Sequence, residues 1–195
     1  MSSPHARLYD LAIAPLERSL LRHSRAWIGQ RARGRVLAVG IGTGADLPYL
    51  TRASHVTGLD LSLPLLDGAA SRARDLTIPV VLVHGNAESL PFEDSSFDST
   101  IATYTLCGIG DPEAALREMI RVTRPGGDML LADHVASSTG WVRAGQRVLE
   151  GVTGRHGEHW LRRPRLILET LDVEILDSVR TTFGALERVH ARRRA

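Results

Sequence analysis

Residues 35–44 read Arg-Val-Leu-Ala-Val-Gly-Ile-Gly-Thr-Gly. An apolar run too short for a helix meets glycines at 40, 42 and 44, where no Cβ blocks the approach of backbone N–H groups to a ligand. In an α/β protein that pattern is the first strand and first turn of a nucleotide-type site. A second apolar run, His55-Val56-Thr57-Gly58-Leu59, ends at Asp60. A carboxylate there has acceptors for both hydroxyls of a ribose diol.

Apolar runs and helical patterns then alternate. Strands are expected at 35–39, 55–59, 79–83, 97–103 and 128–133. Helices are expected at 63–75, with Ser62 as its cap, and at 112–122, with Asp111 as its cap and Pro112 at the first helical position. Pro125-Gly126-Gly127 turns the second helix into the next strand. Residues 173–179 and 185–191 read as two strands joined through Thr181-Thr182-Phe183-Gly184.

The expected fold is α/β: a Rossmann-like, seven-stranded, mostly parallel sheet with helices on both faces and a C-terminal antiparallel hairpin. The 195 residues suit one domain. Its parts are an N-terminal capping helix region (1–34), a ligand-binding core (35–134) and a substrate-side segment with the closing hairpin (135–195). In the first part, Leu8, Ala12, Leu16, Leu20, His23 and Trp27 share one helical face, Arg18, Arg22 and Arg25 lie opposite, and Pro15 interrupts.

Composition narrows the chemistry. The formal net charge is +2, which gives no reason to expect nucleic acid. The chain has no lysine, so no Schiff-base lysine exists. Cys107 is the one cysteine, which excludes an internal disulfide. No apolar run approaches the ~20 residues that span a bilayer, and the N-terminus lacks a signal-peptide core, so a cytoplasmic location is expected. Peripheral membrane contact through the N-terminal helix is a minor alternative.

Gly40-x-Gly42-x-x-Ala45, with Asp60 some way on, also satisfies the dinucleotide fingerprint, so a nicotinamide-linked oxidoreductase remains open on these residues alone. Asn86, past the third strand, can meet an adenine edge or simply form a turn with Gly85.

The ordered series GIGTG, GLDLS, GNAESLPFEDSSFD, TLCGIGDPEAALREMIRVTRPGG and DHV resembles the class I S-adenosylmethionine-dependent methyltransferases. Within them it is most similar to the type 11 branch. That branch holds ubiquinone/menaquinone C-methyltransferases, bacterial phospholipid N-methyltransferases and methyltransferase-like thiol methyltransferases. The resemblance implies S-adenosylmethionine as cofactor and a small, apolar or lipid-like acceptor. By position, it implies that Gly40, Gly42 and Gly44 wrap the methionine end, Asp60 holds the ribose and Leu61 packs on the adenine. It further implies that Asn86 and the Ala87 backbone read the adenine edge, Thr103 and Tyr104 flank the sulfonium, and Tyr9 closes over the cofactor. A non-catalytic cofactor-binding relative is a second alternative.

One departure stands out: the family's acidic residue is replaced by Ala38. On sequence alone, Ala38→Asp or Ala38→Glu is expected to tighten cofactor binding, and Asp46 is a substitute acceptor. His134 is the candidate for assisting deprotonation. His156, Glu158 and His159 are too few constraints for a metal site, and none is expected. An apolar acceptor is suggested by Trp141, Trp160, Leu106 and Ile109, and an anionic head group by Arg155, Arg162 and Arg163.

Overall fold

The computed structural model describes residues 21–153 and 159–195. The strands are β1 (Gly34–Val39), β2 (Ala53–Asp60), β3 (Val80–His84), β4 (Phe97–Thr103), β5 (Thr123–His134), β6 (Val173–Thr181) and β7 (Leu186–Arg193). They form one sheet in the order β3-β2-β1-β4-β5-β7-β6. Pairings from β3 through β5 are parallel, and β7 is antiparallel to both β5 and β6. The helices are α1 (Arg22–Gly29), α2 (Leu63–Ala73), α3 (Pro112–Val122), α4 (Gly140–Thr153) and α5 (Pro164–Leu168).

The apolar run of β1 serves both faces of the sheet. Leu37 and Val39 join Leu116 and Met119 of α3 and Leu168 of α5 in one core cluster. Val36 and Ala38 join Ile28 of α1 and Leu66 and Ala69 of α2 in the other. A parallel strand covered on both faces has no use for alternation, which is why the run is continuous.

Local chemistry fixes the joints. Asp111 Oδ1 accepts from the N–H groups of Glu113 and Ala114, both at 3.0 Å, so it caps α3. Ser62 holds the extended N-cap backbone of α2 but makes no side-chain cap bond. Its own N–H donates to Asp60 Oδ1 at 2.9 Å, so the aspartate organises that helix start. β5 begins earlier than the apolar run suggests because Thr123 pairs with Phe97 of β4, and the Pro-Gly-Gly segment passes as a register shift within the strand.

The order places β1 between β2 and β4, so successive connections leave β1 in opposite directions. A crevice opens outside the carboxyl ends of such strands.

Candidate active site

Two cavities occupy that crevice. The larger, about 400 Å³, is lined by Gly40, Gly42, Asp60, Leu61, Asn86, Ala87, Tyr104 and Ile109, among others. The smaller, about 220 Å³, is lined by Arg25, Gly40, Gly42, Asp46, Thr103, Tyr104, Cys107, His134 and Trp160, among others. Gly40, Gly42 and Tyr104 are common to both, so the glycine turn is the partition between two halves of one site.

The three glycines of the turn have positive φ, but they do different things. A Cβ on Gly42 would meet nothing within 4 Å, in open space facing both cavities. A Cβ on Gly40 would stand 2.1 Å from Thr105 Cγ2. Gly44 lines neither cavity, contrary to the expected wrapping role. A Cβ there would be 2.8 Å from Leu47 Cδ1 and 3.0 Å from Ala69 Cα, so it lets α2 approach the turn. Gly42→Ala is therefore expected to raise the cofactor Kd about tenfold, whereas Gly44→Ala should lower stability with little change in Kd. Thermal melts and equilibrium binding on both variants separate the two; equal binding losses would contradict the assignment.

Asp60 closes the turn from the far side. Its Oδ2 accepts from Gly42 N at 2.8 Å while Oδ1 accepts from Ser62 N. Leu61 is 69% exposed at the rim of the larger cavity. Asn86 Oδ1 accepts from Glu88 N at 3.0 Å, which fixes its side chain in the cavity wall.

Tyr104, His134 and Trp160 form an aromatic wall of the smaller cavity. The His134 ring packs against Tyr104 (centroids 5.0 Å apart) and Trp160 (4.8 Å). Beside it Asp133 Oδ1 accepts from His134 N at 2.7 Å and Oδ2 from Cys107 N at 3.1 Å. Asp133 thus ties the loop after β4 to the end of β5. Thr103 Oγ1 is buried in the same wall and has no hydrogen-bond partner among the described residues. An orphaned hydroxyl and a glycine with free space above it suit a bound nucleoside–amino-acid conjugate.

Residues 37–131 match the family model described as a methyltransferase domain. The chain is 32% identical over 168 residues to the phosphatidylethanolamine N-methyltransferase of Cereibacter sphaeroides, covering 82% of this chain and 82% of that one. The chain belongs to the S-adenosylmethionine-dependent methyltransferases. A second relative, the demethylmenaquinone methyltransferase of Renibacterium salmoninarum, is 39% identical over 100 residues, but the match spans 51% of this chain and only 40% of the relative. The fold is shared with YcgJ from Bacillus subtilis, at a TM-score of 0.71 and 19% identity over 89% of this chain and 99% of that one. This membership removes the nicotinamide reading.

The methyltransferase departs from its sequence-based expectations at several positions. Tyr9, Arg155, His156 and Glu158, with Leu8, Ala12, Pro15, Leu16, Arg18 and Leu20 of the expected N-terminal helix, lie outside the described residues. Ala38 lines neither cavity and is 1% exposed, within the apolar cluster of Ile28, Ile41 and Leu47. A carboxylate introduced there would be buried without water, so the expected gain in cofactor binding is replaced by an expected loss of stability. The acid at the site is Asp46, whose Oδ1 accepts from Arg25 NH1 at 2.8 Å. Sequence periodicity placed Arg25 on the polar face of its helix, yet it is buried, and His23 is exposed instead. Trp141 is 71% exposed and does not line the acceptor side, and Leu106 is fully buried behind it. Trp160 does line the smaller cavity, and Ile109 lines the larger. Arg162 is not free for an anion: its guanidinium donates to the carbonyls of Leu106, Ile109 and Gly110. His159 Nδ1 sits 3.5 Å from Glu150 Oε1.

Burial acts in opposite directions on the two neighbours at the end of β5. It pushes Asp133 up from 3.8 to about 6, despite hydrogen bonds from the Cys107 thiol and nearby backbone N–H groups. It pushes His134 down from 6.5 to about 4. As pH falls from 6.5 to 4, the unfolded chain protonates His134 first, which costs stability. Over nearly the same window the folded chain protonates Asp133 first, which restores it. The pair should leave stability almost flat between pH 6 and 4. His134→Gln removes one side, and stability relative to the parent should then rise by about 3 kcal/mol over that window. Urea titrations at stepped pH check the sign; a variant profile parallel to the parent's would contradict it.

Proposed function

We propose that this methyltransferase acts on a small, apolar or lipid-like acceptor held in the smaller cavity, with the adenosyl group in the larger one. The observation that carries this reading is the partition of one site by Gly40, Gly42 and Tyr104. S-adenosylmethionine supplies a methyl group on a positively charged sulfur, already electrophilic. The protein's task is to align a nucleophile with it and exclude water.

In this reading Asp60 accepts from the ribose hydroxyls, Leu61 covers the adenine face, and Asn86 and the Ala87 backbone meet its edge. Arg25 and Asp46 present one cation and one anion in the smaller cavity, the complement of an amino-acid end that carries both charges. The Thr103 hydroxyl and Tyr104 lie between, where the sulfonium would sit. His134, held neutral by burial, presents a lone pair toward the acceptor between two aromatic rings. Cys107, with its thiol on Asp133, is part of the wall.

The lipid-like acceptor is favoured by similarity to a relative named for phosphatidylethanolamine and another named for demethylmenaquinone. The test is S-adenosylhomocysteine release with phospholipid, quinol, thiol and phenol acceptors presented in mixed detergent micelles. Turnover confined to polar, water-soluble acceptors would sink the reading. His134→Ala should lower kcat about 10- to 100-fold at saturating acceptor, within the range of general-base assistance; an unchanged kcat would remove His134 from the chemistry.

A further inference from the structure

The turn joining β6 to β7 holds its backbone in an unusual state. Thr182, Phe183 and Gly184 have φ of 54°, 55° and 75°. Two of the three are L-residues with bulky side chains, one of them β-branched, in a region such residues rarely adopt. The turn persists because three hydroxyls from the segment before α4 converge on one carbonyl. Ser137 Oγ (2.6 Å), Thr139 Oγ1 (3.1 Å) and Ser138 Oγ (3.4 Å) all donate to Phe183 O. Gln146 of α4 braces that segment, accepting from Ser137 N at 2.7 Å and donating to Val135 O at 2.8 Å. So much fixation serves to hold a phenyl ring outward: Phe183 is 66% exposed.

Phe183 does not stand alone. Its ring centroid is 5.7 Å from that of Trp141, the second residue of α4. From Trp141 an outward stripe continues through Ala144 and Gly145 to Val148, which is 73% exposed, with Leu149 beside it. The turn that carries Phe183 lies at the same edge of the sheet as the active-site crevice, because Leu186 at the start of β7 pairs with His134 at the carboxyl end of β5. α4 is also linked to the smaller cavity through Glu150 and His159.

Charge identifies the occupant. At the turn Arg180 donates to Gly184 O and Arg143 to Ser137 O, Arg163 and Arg165 lie close enough to Arg180 to oppose its charge, Glu187 offsets them, and Arg147 of α4 is exposed. A second copy of the same chain would bring like charge to this face. An anionic bilayer brings the opposite charge together with an interface suited to Trp and Phe. We infer that Trp141 and Phe183, with the outward face of α4, form a prong that docks on the surface of an anionic lipid bilayer beside the entrance for the acceptor. This deepens the lipid-acceptor reading and rests on it for its purpose, though not for its test.

The test is co-sedimentation of the full chain with vesicles of phosphatidylglycerol and phosphatidylcholine in equal parts, and with phosphatidylcholine alone. The parent protein should bind the anionic vesicles, and raised salt should weaken the binding. Trp141→Ser/Phe183→Ser should weaken it at least tenfold while S-adenosylhomocysteine affinity and the melting temperature stay unchanged. Binding by the double variant equal to the parent's, or no binding by the parent, would overturn the proposal. So would a parent dimer, in sedimentation velocity without vesicles, that the double variant loses. Since no turnover is measured, failure of the prong leaves the acceptor assay untouched. Conversely, vesicle binding with no lipid methylated in micelles would sink the acceptor reading alone.

Discussion

Arg25→Met should destabilise the protein by about 3–5 kcal/mol, the cost of leaving one member of a buried ion pair without the other. Arg25 and Asp46 side chains are 8% and 6% exposed, and their 2.8 Å contact joins α1 to the segment after the glycine turn. The Arg25 guanidinium also lies 5.6 Å from the centroid of the Tyr104 ring, so one side chain of α1 touches two other lining residues of the smaller cavity, Asp46 and Tyr104. Domain stabilities are typically about 5–15 kcal/mol, so a loss of this size brings the protein near its unfolding threshold. Removing both charges is a different experiment. Arg25→Met/Asp46→Leu deletes the uncompensated carboxylate and should recover most of the stability. It should not recover cofactor binding if the pair meets the amino-acid end of the ligand. Urea unfolding and equilibrium binding of S-adenosylhomocysteine, on both single variants and the double, give the coupling directly. A single-variant loss below about 1 kcal/mol would mean that water reaches the pair and that it behaves as a surface bridge.

That ion pair also shows where a sequence stops being legible. β1 could be read from its residues because Val36, Leu37, Ala38 and Val39 are all apolar, and a strand covered on both faces asks for nothing else. The α3 cap could be read because Asp111 acts on residues only two and three positions on, Glu113 and Ala114. The parallel order followed from strand–helix alternation, and the glycine turn followed from spacing. In each case the determinant is local. Arg25 differs: its helix period alone marks it as solvated, and its burial depends on Asp46, 21 residues away. Asp133 reads only as one residue of a strand end, yet it anchors Cys107 across 26 residues. Ser62 has the right identity and backbone for a cap, but Pro64 has no N–H to give its hydroxyl and Leu65 N donates to its carbonyl instead. Trp141 reads as a pocket residue because it lies in the substrate-side segment, yet it stands exposed against the ring of Phe183. Local propensity gives elements and their order; the partners of polar side chains are settled by chain crossings that no window of sequence contains.

Asp60→Ala should raise the Kd for S-adenosylhomocysteine by about three orders of magnitude. An ionised carboxylate offers about four lone-pair sites. Two are used within the protein, by Gly42 N and Ser62 N. Asp60 lines the larger cavity, and two remaining sites are enough for both hydroxyls of one ribose. A hydrogen bond to a charged group contributes about 1.5–3 kcal/mol, so two together give roughly 4 kcal/mol, or about a thousandfold in affinity. Alanine would also release the glycine turn, so a loss of binding alone does not separate direct contact from support of the turn. The ribose itself supplies the control. The parent should bind S-adenosylhomocysteine at least tenfold more tightly than its 2′-deoxy analogue, because only the former offers the second hydroxyl. In Asp60→Ala that preference should vanish, both ligands binding equally weakly. If Asp60 acted only by holding Gly42, the variant would bind both ligands more weakly and keep the parent's preference between them. Asp60→Asn sharpens the distinction. Its single carbonyl oxygen can serve one backbone N–H at full strength but carries no charge toward the ribose. The turn should stay largely in place, shown by a melting temperature near the parent's, while the preference for the ribose falls by most of its value.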